Sequence, residues 1–358
     1  MAKATRKRTS IEKERNAGFA GTLPMLDSPL QAGVHSEKKF LAYPFFDLAR
    51  APRRQEMRYQ EMSADGNRVE ILVNAPRGVA TIYDRDLLIY VASLLRQRVL
   101  SNPGVFDDLK NPEHRTFIFT LHDFCAATSR SRGDGYDRIE HVVERLRTTS
   151  IRTTVRAGGE RTKGWFNWLG EGTYVRTREE EGEETGAFIC AVLCEWLFKA
   201  ILRDGDMLAI PEQYFHLGPI ERRLFDLAHV ECREGDWHTT IGSLQARAGS
   251  DMLVRQFKAY LCEVGERGLP DYEVVLLAEF EKPADAGGKK RGGRPSVAYQ
   301  KVIVRRRTTP FELSDKKSSK GKGLSHAKTK ARKPPAQVEP LLLEYLNSKA
   351  MEGDAMSG

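Results

Sequence analysis

The chain has 358 residues, of which 40% are hydrophobic and 30% are charged, and its mean hydropathy is −0.49. This length allows about two domains with real cores, and no segment approaches the roughly 18 apolar residues that cross a bilayer. The basic N-terminus lacks the apolar segment of a secretory signal, and five cysteines without a CxxC pair are typical of a reducing compartment. We therefore expect a cytoplasmic protein.

The net charge of +8 is unevenly distributed along the chain. Residues 40–285 contain 32 Lys or Arg against 39 Asp or Glu, whereas residues 286–311 contain eight Lys or Arg and no acid. A local basic segment can neutralise DNA phosphates, which a weakly basic average alone does not predict. The pattern indicates an acidic body that carries a basic, DNA-binding segment.

The order of predicted elements divides the chain into four segments and predicts an α+β fold. Residues 1–39 have no hydrophobic periodicity and are predicted to be a disordered basic leader. Residues 40–203 and 204–310 are predicted to be two winged-helix domains. Residues 311–358 are predicted to be a disordered basic tail, with a short amphipathic helix over 338–346.

The first unit shows helix, strand, helix, turn, helix and β-hairpin in that order, which is typical of a winged helix. Its cationic residues are offset by neighbouring acids, so we predict contacts with the DNA backbone and a dimer surface rather than base recognition. The candidates for backbone contacts are Arg130, Arg132, Arg138 and Arg145. The predicted elements are a strand over 68–73, a helix capped by Asp84, a strand over 116–120, a helix over 121–127, a turn over 129–135, an amphipathic helix after it, and a hairpin of 150–155 with 164–168.

The second unit repeats this order more clearly. A helix begins at Pro219, a short helix is capped by Thr240, and the Gly249-Ser250 turn leads into a third helix. Strands over 273–280 and 297–305 then flank a basic loop. This arrangement predicts a helix-turn-helix followed by a β-hairpin wing.

The third helix of the second unit is the candidate recognition helix. If Leu253, Phe257, Leu261 and Val264 face inward, helical geometry places other side chains outward. Those side chains are Asp251, Arg255 and Lys258, with Ser250 and Gln256 beside them. Arg pairs with guanine, Gln pairs with adenine, and Ser at a helix start can bind phosphate. A merely solvated charged face is the alternative, and the turn before the helix and the wing after it favour DNA binding.

The predicted wing loop is Gly-rich and entirely cationic. Residues 287–295 include Lys289, Lys290, Arg291 and Arg294. Such arms enter the minor groove or lie along the backbone. The alternative, a disordered solubilising loop, is less favoured because the loop directly follows a helix-turn-helix.

Catalytic signatures are missing from the sequence, so we expect no enzyme activity, catalytic residue, metal or cofactor. There is no P-loop motif, and the eight histidines form no His-x-His or HExxH pair. Cys190 and Cys194, four residues apart on a predicted helical segment, lack a second ligand pair and are expected to be buried thiols. Phe166 and Trp168 are expected to pack into the core rather than stack on bases.

Five segments resemble the replication initiator protein A family of bacterial plasmids, and the similarity covers about residues 40–280. They are residues 44–49, residues 69–71 followed by 74–84 with the Asn-Ala-Pro-Arg-Gly stretch, and residues 210–215, 224–228 and 246–250. The resemblance implies binding of double-stranded plasmid origin DNA by two winged helices, with the host initiator and replicative helicase recruited to the opened DNA. It also implies repressing dimers, which limit copy number, and initiating monomers.

Two other functions remain open at this point. A winged-helix transcriptional regulator would change transcription without supporting replication of a plasmid that bears the cognate site. A nicking initiator of rolling-circle replication would cut supercoiled origin DNA in the presence of Mg²⁺ or Mn²⁺.

Overall fold

The computed structural model describes residues 27–308 except for 63–65, 102–111, 181–182 and 282–295. Within these ranges, side chains are described except at residues 112, 132–137 and 176–186. Most of the predicted leader, the basic loop at 287–295 and the tail with its helix over 338–346 therefore lie outside the described residues.

The fold is α+β, with helices and antiparallel strands interleaved along the chain. Its helices are α1 (Lys38–Ala42), α2 (Arg85–Ser101), α3 (Leu121–Ala127), α4 (Arg132–Thr148), α5 (Glu195–Lys199), α6 (Pro219–Glu231), α7 (Ile241–Ala248) and α8 (Val254–Arg267). Its strands are β1 (His35–Glu37), β2 (Glu56–Met62), β3 (Arg68–Asn74), β4 (Thr116–Thr120), β5 (Ser150–Thr153), β6 (Phe166–Asn167), β7 (Tyr174–Glu180), β8 (Glu183–Val192), β9 (Met207–Ala209), β10 (Trp237–Thr240), β11 (Tyr272–Phe280) and β12 (Gln300–Arg306).

The first half of the chain is built around α2. Its residues 85–95 are all buried, so this helix is a core element rather than an amphipathic surface helix. A four-stranded sheet of order β2-β3-β5-β6 and a three-stranded sheet of order β4-β8-β7 belong to the same half. The β5–β6 pairing confirms the predicted return of the chain through residues 164–168.

An aromatic cluster closes the core of the first half. The ring of Trp168 lies 5.1 Å from that of Phe40, 5.4 Å from that of Phe45 and 6.2 Å from that of Trp196. Phe166 is 5.8 Å from Trp168, whereas Trp165 is 51% exposed. The prediction that Phe166 and Trp168 pack into the core is confirmed.

The second half contains α6, α7 and α8 and a sheet of order β10-β12-β11. β12 lies in the middle, pairing with β10 through Trp237 and Val304 and with β11 through Val274 and Val304. Leu224, Leu244 and Leu261, one from each helix, are at most 3% exposed and belong to one hydrophobic core that continues into the first half.

Charged residues of α6 join the two halves. Arg222 donates from Nη1 to Asp86 Oδ1 at 2.7 Å, and Asp226 receives Arg85 Nη1 at 2.7 Å. Arg223 donates to main-chain carbonyls at the end of α1 and in α7. All of these side chains are almost completely buried. The predicted boundary between residues 203 and 204 stays a prediction, and the structure adds a polar joint across it.

Several predicted details are wrong in the structure. Leu253 caps α8 and is 70% exposed, because the chain is still extended there and only Phe257, Leu261 and Val264 reach the core. The turn predicted over 129–135 is shorter, because α4 begins at Arg132 after the extended Ser131. The final strand begins at Gln300 rather than residue 297, since Val297–Tyr299 forms a 3₁₀ turn.

Candidate nucleic-acid interface

Helix α8 presents a polar face to solvent. Phe257, Leu261 and Val264 are 0% exposed and anchor one side of the helix. Arg255 and Gln256 are exposed and Lys258 is half-buried, as expected for positions that face away from or flank that buried side. The geometry leaves two polar side chains in the first turn of α8 accessible to a ligand.

A tight turn between α7 and α8 sets the position of this face. The Thr240 side chain caps α7 by accepting from Ser243 N at 3.2 Å. Gly249 ends α7 in the left-handed conformation, with φ of 70°, and Ser250 N donates to Gln245 O at 3.2 Å. A Cβ atom at residue 249 would lie 2.7 Å from Pro44 Cβ, so the turn packs closely against the first half. Ser250 is half-buried at the end of this turn, next to the start of α8.

Strands β11 and β12 follow α8 and pair with each other, as predicted, and the chain between them includes residues 282–295. Lys289, Lys290, Arg291 and Arg294 therefore lie outside the described residues. At the base of the hairpin, Arg305 is paired with Glu273 on the neighbouring strand. The role of Lys289, Lys290, Arg291 and Arg294 in DNA binding stays a prediction.

The predicted contact residues of the first half have different surroundings. Arg145 donates to both carboxylate oxygens of Asp84, at 2.8 and 2.6 Å, and Arg130 donates to Asp86 at 2.8 Å and to the Tyr83 carbonyl at 2.6 Å. Arg138 is exposed, and the side chain of Arg132 is outside the described part. The ion pairs of Arg130 and Arg145 stabilise the region around the start of α2, so we leave these two residues out of the proposed interface.

Sequence reasoning missed two arginines beside α8. Arg53 Nη2 lies 2.9 Å from Asp251 Oδ1, and Arg54 Nη2 lies 3.2 Å from Asp251 Oδ2. The contact links residues about two hundred positions apart in sequence. No local pattern in the sequence marks such a pair.

The cysteines are buried except for Cys262. Cys190 lies on β8 and Cys194 precedes α5, so the prediction that both lie on one helical segment is wrong, although both are buried as expected. Burial raises the pKa of Cys190 to about 11 and that of Cys194 to about 12, which disfavours the reactive thiolate.

No group of three or more His, Cys, Asp or Glu side chains within 27–308, outside the gaps, is arranged to hold a metal ion. No helix in the described part combines the length and apolarity required to span a membrane.

Known proteins similar to this chain include one curated relative and crystal structures of RctB domains. The relative, named "Putative replication protein" in Wigglesworthia glossinidia brevipalpis, is 27% identical over 247 residues, which cover 68% of this chain and 85% of the relative. A crystal structure of domains 2 and 3 of RctB matches with a TM-score of 0.49 and 13% identity over 75% of this chain and 97% of that one. A second RctB structure, of residues 155–483, matches with a TM-score of 0.45 and 13% identity over 75% of this chain and 95% of that one. Because both TM-scores are below 0.5, we draw no conclusion about the fold or function of this chain from the two structures.

The family comparison is more decisive. The model of the family described as "Replication initiator protein A" matches residues 35–274, which is more than half of the chain. The match runs from β1 through α8 into β11, so it includes the polar joint, the turn before α8 and the exposed face of α8. The resemblance seen in the five sequence segments is thereby confirmed, and the chain belongs to the replication initiator protein A family.

Proposed function

We propose that this chain initiates plasmid replication by binding double-stranded origin DNA sequence-specifically through two winged-helix units. The observation that carries the proposal is the exposed first turn of α8, held behind a tight turn and followed by a β-hairpin. A helix in this position is the part of a helix-turn-helix that enters the major groove, where the side chains of its N-terminal turn contact base edges.

The proposed roles follow from side-chain chemistry. Arg255 and Gln256, exposed in the first turn of α8, contact bases, since Arg matches guanine and Gln matches adenine. Ser250 and Lys258, both half-buried beside them, contact phosphates. Lys289, Lys290, Arg291 and Arg294 of the hairpin loop neutralise further phosphates or enter the minor groove.

The family membership supports a role in replication initiation. We further propose that the first half contributes a dimer surface, and that the bound protein recruits the host initiator and replicative helicase to the opened origin. We also propose that the chain itself performs no catalysis. Incubation with supercoiled origin DNA and Mg²⁺ or Mn²⁺ tests this point, and the appearance of nicked circles would overturn it.

The central experiment compares Arg255→Ala with the wild-type chain. A footprint on DNA flanking the coding gene first locates the binding site, and affinities are then measured on that duplex and on a random one. Arg255→Ala should lose about 1–3 kcal/mol on the specific duplex and far less on the random duplex. Equal losses on both would make Arg255 a phosphate contact.

Glu266→Ala is the matched control. Glu266 is also exposed on α8, roughly 16 Å further along the helix axis at about 1.5 Å per residue. This variant should bind both duplexes like the wild-type chain. A loss of specificity in Glu266→Ala equal to that in Arg255→Ala would contradict an interface centred on the first turn of α8.

A further inference from the structure

The Asn-Ala-Pro-Arg-Gly stretch at 74–78 holds a basic loop in place. Ala75 N donates to Gln55 O at 2.8 Å, Val79 N donates to Arg54 O at 2.8 Å, and Gln55 Nε2 donates to Pro76 O at 3.1 Å. Gly78 has φ of 103°, and a Cβ there would lie 2.5 Å from Pro52 Cβ. The stretch thus fixes the backbone of residues 50–55, which we call the arginine loop.

The arginine loop ends beside the start of α8. Arg53 and Arg54 both contact the Asp251 carboxylate, which is three residues before α8 begins and is half-exposed. Their Nε atoms also lie 3.6 and 3.1 Å from Asp47 Oδ1, a carboxylate that is completely buried. Asp47 is itself fixed, because its N donates to Ala80 O and its O accepts from Ile82 N, both at 3.0 Å.

The exposed part of this cluster can take an anionic ligand. The ion pairs balance Arg53 and Arg54 against Asp47 and Asp251, so the capacity to bind a further anion lies in the exposed guanidinium of Arg53. The side chain of Arg53 is 49% exposed, and a guanidinium has five N–H donors, so it can bind a phosphate oxygen as well as Asp251. Asp251 is the accessible acid of the cluster, because Asp47 is sealed in the interior.

We propose that the arginine loop is a second DNA-contact element, which binds a backbone phosphate beside the bases that α8 contacts. Asp251 acts as an internal counter-charge: it orients Arg53 and Arg54 toward the start of α8 and weakens their attraction for phosphate. This proposal rests on the proposed function of α8. It also gives the 74–78 stretch a role, namely to position the arginine loop.

Two variants of the full chain with opposite expected effects test the arginine loop. Arg53→Ala should weaken binding to specific and random duplexes by the same factor and should flatten log K against log salt by about 0.9, the value for one lost phosphate contact. Asp251→Asn should tighten binding to both duplexes, because it removes the competing carboxylate. A folding defect can only weaken binding, so a gain of affinity in Asp251→Asn is diagnostic.

Arg233→Ala is the control for loss of a surface arginine. Arg233 has a similar exposure of 44% and a similar ion pair, with Asp206 at 2.8 Å, but its partner adjoins β9 rather than α8. It should leave both the affinity and the salt slope unchanged. The proposal is overturned if Arg53→Ala behaves like Arg233→Ala, or if Asp251→Asn weakens binding.

The outcomes separate this proposal from the proposed function. If Arg255→Ala loses specificity while Arg53→Ala changes nothing, the arginine loop is no contact element and the role of α8 stands. If Arg53→Ala flattens the salt slope while Arg255→Ala has no preferential effect on the specific duplex, the loop binds DNA and the assignment of base recognition to α8 fails.

Discussion

Replacing Asp226 by Ala tests the polar joint between the two halves of the chain. Asp226 is 0% exposed and receives Arg85 Nη1 at 2.7 Å and Nη2 at 3.0 Å, while Arg223 Nη1 lies 3.9 Å away. Burial alone would lower the pKa of Arg85, but the Asp226 carboxylate outweighs burial and holds that pKa above its usual value. Both guanidinium groups therefore depend on Asp226 for compensation of their charge.

The expected loss is large because a charge is left behind in the interior. Removing one partner of a buried ion pair costs about 3–5 kcal/mol. With a urea dependence of about 3 kcal/mol per molar, the unfolding midpoint should fall by roughly 1–2 M. The double variant Arg85→Met with Asp226→Leu should recover part of this loss, because it removes the uncompensated charge of Arg85.

Equilibrium urea unfolding, followed by tryptophan fluorescence and circular dichroism, measures the effect. The control is Glu279→Ala, which removes a surface ion pair with Lys301 whose two side chains are 68% and 39% exposed. This variant should leave the midpoint unchanged, since exposed pairs contribute little. A midpoint for Asp226→Ala that equals that of Glu279→Ala would refute the role assigned to the joint.

Three further predictions concern pH, the turn before α8 and the hairpin loop. Burial raises the pKa of Glu37 to about 7 from an ordinary 4.5, so the folded chain keeps a proton that the unfolded chain loses. As the pH rises from 4.5 to about 7, the free energy of unfolding should therefore fall by about 3 kcal/mol and then level off. Unfolding curves of Glu37→Gln should lack this fall. Gly249→Ala should lower the thermal midpoint more than Gly205→Ala, because both residues have positive φ but only residue 249 would also meet Pro44; equal shifts would argue against the close packing. Replacing Lys289, Lys290, Arg291 and Arg294 by Ala should flatten the salt dependence of DNA binding by roughly three units, and an unchanged slope would exclude phosphate contacts by this loop.

The sequence predicted those elements whose signals are local and periodic. Helix α8, its buried Phe257, Leu261 and Val264, and the cap at Thr240 all follow from helical spacing and capping chemistry, and the structure has them. The predicted hairpin strands also pair as expected, with Val275 opposite Ile303. Local patterns therefore gave the order of elements around the candidate interface.

Strands β2 and β10 are among those that escaped prediction, because few of their residues are buried. In β2, Met57 is the buried hydrophobic residue, and the strand pairs with β3 at the edge of its sheet. β10 is only four residues long and lies at the edge of the second-half sheet. Edge strands that are mostly polar lack the hydrophobic alternation that marks a half-buried strand.

The polar contacts of the interface region could not be read from local patterns at all. Arg85 and Asp226 are far apart in sequence, as are Arg53 and Asp251, and each pair forms only when the two halves pack together. In the sequence, Asp251 was simply an outward-facing acid beside the candidate recognition helix. The structure shows that Asp251 is the partner of Arg53 and Arg54. The candidate interface is therefore a surface to which both halves contribute, and not α8 alone.

The most direct test of the proposed function is replication in trans. A plasmid without its own replicon, carrying the footprinted DNA, is introduced into cells that supply either the wild-type chain or Arg255→Ala. The wild-type chain should maintain the plasmid, and Arg255→Ala, at equal protein level, should not. If the wild-type chain changes transcription from the footprinted DNA but the plasmid is not maintained, the proposed role in replication initiation is contradicted.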